Sequence, residues 1–248
     1  MRAYQFQPLT VKGLLSQSML LYRENFLKLI GIAVPGAVIG SLAFQSIWIY
    51  GPSQVLEIAL LYIGIAAFQS LIVTAAGVIA ISDGLLGQSI RVGQAYSRVA
   101  SSLFPLLGAL TLFTIAISIG LPTFVLGVVA YVWFCLAAPV VMIEGEGGSG
   151  ALKRSRIIVK GHFKRACVVV VLVTIVQVLV TILLLSLPRF TGNLPGLPSL
   201  FSLLSVCLFL FIEPFKVVST TMLYYDLRVR KEGYNLQTMA EELTASSR

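Results

Sequence analysis

One histidine, three cysteines and ten acidic residues in 248 positions leave little material for a catalytic centre. His162 has no cysteine or carboxylate pair placed to work with it, and no GxSxG elbow, Walker loop or set of close carboxylates occurs anywhere. Cys135, Cys167 and Cys207 all fall within apolar windows and lack metal-ligand spacing. They read as small buried hydrophobes rather than disulfides or ligands. These absences predict no catalytic residue, no metal and no cofactor, and hence a protein that is not an enzyme. Charge of either sign is scarce too: charged residues make up 11% and hydrophobic residues 57%. A soluble chain of this length would need far more polar surface to cover its core.

What is there is long apolar runs. Residues 29–50, 58–82, 99–143, 166–188 and 190–212 contain no Lys, Arg, Asp or Glu. A helix crosses the hydrocarbon layer with about 20 residues, so each window can span and 99–143 can span twice. The expected fold is therefore all-α, a polytopic membrane bundle of about six spans forming a single domain over 1–248. The spans are placed at 29–50, 56–81, 103–121, 123–143, 166–187 and 199–223, with a tail at 224–248. The first apolar run begins near Leu29, too late for a secretory signal. Gly51-Pro52-Ser53, Leu121-Pro122 and the breaker-rich stretch 188–198 punctuate three hairpins, and Asp83-Gly84 reads as a turn.

Of the eighteen Lys and Arg, Arg189 alone lies on the side of those hairpin turns, and Lys216 falls inside the last span. The other sixteen share the opposite side with both termini. The positive-inside rule makes that side cytoplasmic, in a bacterial cytoplasmic membrane or another bacterial internal membrane. Net charge of +8 then signifies orientation and contact with anionic lipid, not nucleic acid.

Each hairpin follows an amphipathic segment with a 3.6-residue period. The apolar faces are Val11, Leu14, Leu15, Ser18, Met19 and Tyr22; Val92, Ala95, Tyr96 and Val99; and Ala151, Leu152, Ser155, Ile158 and Val159. Such helices lie in the headgroup layer or pack across the mouth of a bundle. The pattern predicts three repeats of one surface helix plus one spanning hairpin, with Phe26, Phe104 and Phe163 at similar places. The third segment carries Lys153, Arg154, Arg156, Lys160, Lys164 and Arg165. It is the candidate site for anionic headgroups, its apolar face expected to lie against the hydrocarbon boundary.

Gly36 and Gly40 form a GxxxG in the first span. Their expected partner is another span of the same chain, with homodimer contact as the alternative. The fifth span, nearly all Val, Leu, Ile and Thr, reads as lipid-facing. Glu213-Pro214-Phe215-Lys216 places two charges in the last span. Three apart on a helix, they can neutralise each other as an intramembrane ion pair. Pro214 frees a carbonyl one turn back for Lys216 or a neighbouring helix to satisfy. The tail from Tyr224 reads as a helix leaving the membrane through an aromatic belt and ending near Gly233.

That tail, Leu223-Tyr224-Tyr225-Asp226-Leu227-Arg228-Val229-Arg230-Lys231-Glu232-Gly233-Tyr234, resembles the C-terminal signature of the bacterial family named for the membrane domain of glycerophosphodiester phosphodiesterases. Glu144–Arg156 with Lys160-Gly161-His162-Phe163, and Leu20–Phe26 near the start, are similar to two further stretches of that family. The resemblance implies a stand-alone membrane module. Hydrolysis in such phosphodiesterases belongs to a separate soluble barrel, which is absent here, so the likeness carries no activity with it. The expected function is a non-enzymatic module that organises lipid or a membrane-protein partner through its basic cytoplasmic face. The alternative is a small transporter or lipid-handling protein using Glu213 and Lys216.

Overall fold

A computed structural model describes residues 8–49, 55–88, 91–120, 123, 125–191, 197–235 and 238. The expected turns at 51–53 and 121–122 lie outside the described residues. The elements, all helical, are α1 (Val11–Glu24), α2 (Phe26–Ile49), α3 (Val55–Leu85), α4 (Val92–Ser101), α5 (Leu103–Gly120), α6 (Val125–Phe134), a short α7 (Ala137–Pro139) running into a π-helical turn (Val140–Glu144), α8 (Ser149–Val159), α9 (Phe163–Thr191) and α10 (Leu197–Glu232). Among the described residues five helical stretches are long and apolar enough to cross a membrane, and α1 with α2 forms a sixth candidate bent by 85°. The chain is thus a membrane-embedded helical bundle. The order of one short and two long helices occurs three times.

The α1–α2 bend has a local cause. Thr10 caps α1 by accepting from the Gly13 N–H at 3.0 Å. Asn25 then ends it, its amide donating to the Leu21 carbonyl at 3.2 Å while its own carbonyl accepts from Leu29. Buried Asn25 so serves both the end of one helix and the start of the next.

The short helices turn their apolar faces into the bundle. Leu14, Ala95, Val99, Ala151, Ile158 and Val159 are all buried in the protein core. This corrects the expectation that the α8 face meets hydrocarbon. α8 packs on α5, α6 and α10, so its apolar face is covered by the bundle. The glycines ahead of α8 make this possible. Gly145 and Gly148 adopt left-handed conformations, with φ of 72° and 54°. A Cβ on Gly147 would stand 2.9 Å from that of Pro105, so the loop lies flat on the start of α5.

α10 is the hub, packing against α1, α2, α3, α8 and α9. It approaches α3 closely, where a Cβ on Gly77 would meet Val217 at 2.5 Å. The GxxxG also faces inward: a Cβ on Gly36 would meet Val73 at 2.7 Å, and one on Gly40 would meet Gln69 at 2.6 Å. Its partner is α3 of the same chain. On α9, Leu172, Ile175, Leu179 and Ile182 face outward, whereas Val169, Val170 and Val173 are buried. The fifth span is lipid-facing on one side only.

Other expectations need correction. Asp83-Gly84 belongs to the last turn of α3, and the chain reverses after it, where Gly87 has φ 77°. The loop expected at 188–198 is shorter, because α9 reaches Thr191 and α10 starts at Leu197. Pro198 falls in the first turn of α10, where its missing N–H has no intrahelical partner to lose. Tyr224 and Tyr225 are fully buried, so they form no aromatic belt; α10 carries them into the core of the bundle. Cys135 and Cys167 are half-buried and Cys207 is exposed, against the expectation that all three are buried. The three aromatics before the odd spans also differ. Phe26 packs on Tyr22 and Phe163 on Trp133, but Phe104 is exposed.

Candidate functional site

An unpaired charge within a bundle is costly, so Glu213 needs partners. It is fully buried, and three side chains from three helices serve it. Lys216 of α10 stands 2.7 Å from Oε1. Ser70 of α3 donates to the same oxygen at 2.6 Å, and the Gln177 amide of α9 donates to Oε2 at 2.9 Å. The Lys216 ammonium donates also to Ser70 Oγ at 3.2 Å and to Gln177 Oε1 at 3.3 Å. Its three hydrogens therefore have three acceptors. Sequence reasoning found the charged pair and missed Ser70 and Gln177. The signal for them was faint: two polar residues in otherwise apolar spans.

Helix breaks in the spans are repaired from the short helices. Tyr22 of α1 donates to the Phe211 carbonyl at 3.1 Å, one turn before Pro214. Tyr96 of α4 donates to the Ile32 carbonyl, at 2.5 Å, one turn before Pro35. Ser155 of α8 donates to the Trp133 carbonyl at 2.8 Å and accepts from the Leu136 N–H at 3.2 Å, where α6 gives way to α7. A neighbouring helix thus supplies a donor next to Pro214, to the Phe211 carbonyl rather than to that of Leu210, which the proline frees.

A crevice of about 260 Å³ lies beside the ion pair. Its walls include Leu106, Phe113, Tyr131 and Phe134, and Lys216 is the one charged residue lining it.

The α10 tail organises the basic end. Asp226 is buried and accepts from the Leu9 N–H at 2.8 Å, with Arg165 at 2.8 Å and Arg230 at 3.1 Å. Arg165 and Arg230 also donate to the Leu9 carbonyl. Glu144 pairs with Arg154 at 2.6 Å and accepts from Tyr224 at 2.8 Å. Arg154 reaches Glu232 at 2.7 Å, and Arg228 pairs with Glu232 at 2.9 Å and stacks over Tyr234. Burial alone would lower the Arg154 pKa, but Glu144 and Glu232 outweigh it and hold it above its ordinary value. Gly233, with φ 65°, ends the helix where the sequence places its end.

The six basic residues of the candidate lipid site are thereby divided. Arg154 and Arg165 are committed to internal ion pairs. Arg156 lies over the Trp133 ring at 4.3 Å. Lys153, Lys160 and Lys164 are exposed and, among the described residues, have no acidic partner. His162 is half-buried beside them, and no group of three His, Cys, Asp or Glu able to hold a metal occurs among the described residues. No family model, no curated protein and no solved structure matches the chain.

Proposed function

We propose that this protein is a non-enzymatic membrane module whose basic end, facing the cytoplasm with both termini, gathers anionic lipid headgroups. One observation carries the reading: at this end most of the described carboxylates are taken up by ion pairs, Glu24 and Glu146 being exposed without one, while a larger number of lysines stays outside them. Asp83, Glu144, Asp226 and Glu232 all sit in ion pairs. Lys12, Lys28, Lys153, Lys160 and Lys164 do not, among the described residues. The resemblance of the 223–234 tail to that family accords with a stand-alone module.

The free cations differ from the structural ones, and that separates the reading from fold stability. Each basic residue near an anionic surface contributes about 1 kcal/mol, so neutralising three removes about 3 kcal/mol, on the order of a hundredfold in affinity. Native mass spectrometry of the full chain, titrated with phosphatidylglycerol or phosphatidylcholine, measures this. The wild type should prefer phosphatidylglycerol, with the preference falling as salt rises. Replacing Lys153, Lys160 and Lys164 together by Gln should remove most of it. Equal binding of both lipids by the wild type, or an undiminished preference in the triple variant, would refute the assignment.

A further inference from the structure

The crevice beside Lys216 is a gap between two rigid parts. α5 and α6 pair closely with each other, and their hairpin meets α3 chiefly through α7 and the π-helical turn. Away from that junction the helices separate. The lining comes from Ala67–Thr74 of α3, Leu106–Thr114 of α5, Tyr131–Ala138 around the α6 break, and Lys216 and Thr220 of α10. All four segments belong to spanning helices, so the gap lies at membrane depth.

Something fills a gap of about 260 Å³, and its lining discriminates among the candidates. A buried water needs two to four polar partners. Most of the polar groups here are already engaged: Ser70 with Glu213, Tyr131 with Thr174 at 2.9 Å, Thr220 with its own helix, and Lys216 with its three acceptors, which leaves the hydroxyls of Thr74 and Thr114. A charged headgroup fits no better, because the Glu213–Lys216 pair is neutral overall and an added anion would lack a counter-charge. Apart from those two hydroxyls, what remains is apolar surface, with Leu110, Phe113 and Phe134 its large side chains that keep some exposure.

We infer that the crevice binds an acyl chain of a bilayer lipid, admitted between the α5–α6 hairpin and the α3–α10 core. The volume suits part of one chain and excludes a whole phospholipid. This site is separate from the headgroup face, and its test uses neutral lipid so that the two proposals stand or fall independently.

The experiment places full-length protein in nanodiscs of phosphatidylcholine carrying a diazirine on one acyl chain. After photolysis, adducts are mapped by mass spectrometry. Adducts should form on Leu110, Phe113 and Phe134 as well as on outward Leu172 and Leu179 of α9. Ala138→Phe should plug the gap, with loss of the crevice adducts and retention of those on α9. Ala67→Phe plugs it from the opposite wall and serves should the first variant fail to fold, which a thermal melt reports. Absence of crevice adducts in the wild type, or their persistence in a folded plugged variant, would overturn the inference. Water is tested through Cys135, which also lines the gap. With Cys167 and Cys207 replaced by Ser, Cys135 should resist a charged thiol reagent. Rapid reaction with the charged reagent would mean an aqueous path and would overturn the acyl-chain assignment.

Discussion

Replacing Lys216 with Met would leave the Glu213 carboxylate buried with only Ser70 and Gln177 for partners. Removing one member of a buried pair costs about 3–5 kcal/mol, because the other is left without its counter-charge. The double variant Glu213→Leu with Lys216→Met removes both charges. Ser70 can then turn to a carbonyl of its own helix. Gln177, half-buried, loses both partners it has in this network, at a cost of about 1–2 kcal/mol. The single variant should therefore be less stable than the double by about 2 kcal/mol, roughly thirtyfold in the unfolding equilibrium. Adding Gln177→Leu to the double variant should recover part of what remains. The assay is reversible unfolding in mixed micelles with rising SDS, followed by tryptophan fluorescence. Single and double variants equal within about 0.5 kcal/mol would mean that the two charges are energetically independent, and the network as described would be wrong.

Three further outcomes are expected. Gly77→Ala should destabilise the bundle by about 1–3 kcal/mol through the contact with Val217, and Val217→Ala should restore most of the loss; no rescue in the same unfolding assay would contradict the close α3–α10 approach. Tyr22→Phe and Tyr96→Phe should each cost about 0.5–1.5 kcal/mol by removing one hydrogen bond near a proline; unchanged stability would show that those carbonyls need no donor. In intact cells, tags at residues 1 and 248 should resist external labelling and a cysteine at position 193 should accept it; labelling of either terminus from outside would break the proposed orientation.

Charge-free windows made the spans legible, because hydrocarbon tolerates nothing else over twenty residues. Five of the six predicted spans fall on long apolar helices, and the remaining one, 29–50, falls on α2 beyond the bend at Asn25. The ion pair was legible for the same reason: a charge stands out in such a span. Its neutral partners were not, since Ser70 and Gln177 gain meaning only when α3, α9 and α10 meet. The basic cluster at 153–165 shows the limit most clearly. Composition counts six equivalent cations, but Arg154 and Arg165 differ from their neighbours through Glu144, Glu232 and Asp226, which come from other parts of the chain. Periodicity likewise found the faces of the short helices without revealing what covers them.

The first helix is completed by the last. Leu9 is gripped by Asp226, and Tyr22 bonds to Phe211, across more than 180 positions of sequence. During synthesis α1 leaves the ribosome long before α10 exists, so its apolar face must wait on the membrane surface or in the care of a chaperone. The bundle can close only when the final span has inserted and its tail has folded back to the N-terminal segment. A chain stopped before Pro214 would leave α1 without Asp226 and without the C-terminal half of α10. Such a product should be a substrate for membrane quality-control proteases, and full-length chains should become resistant in one late step rather than hairpin by hairpin.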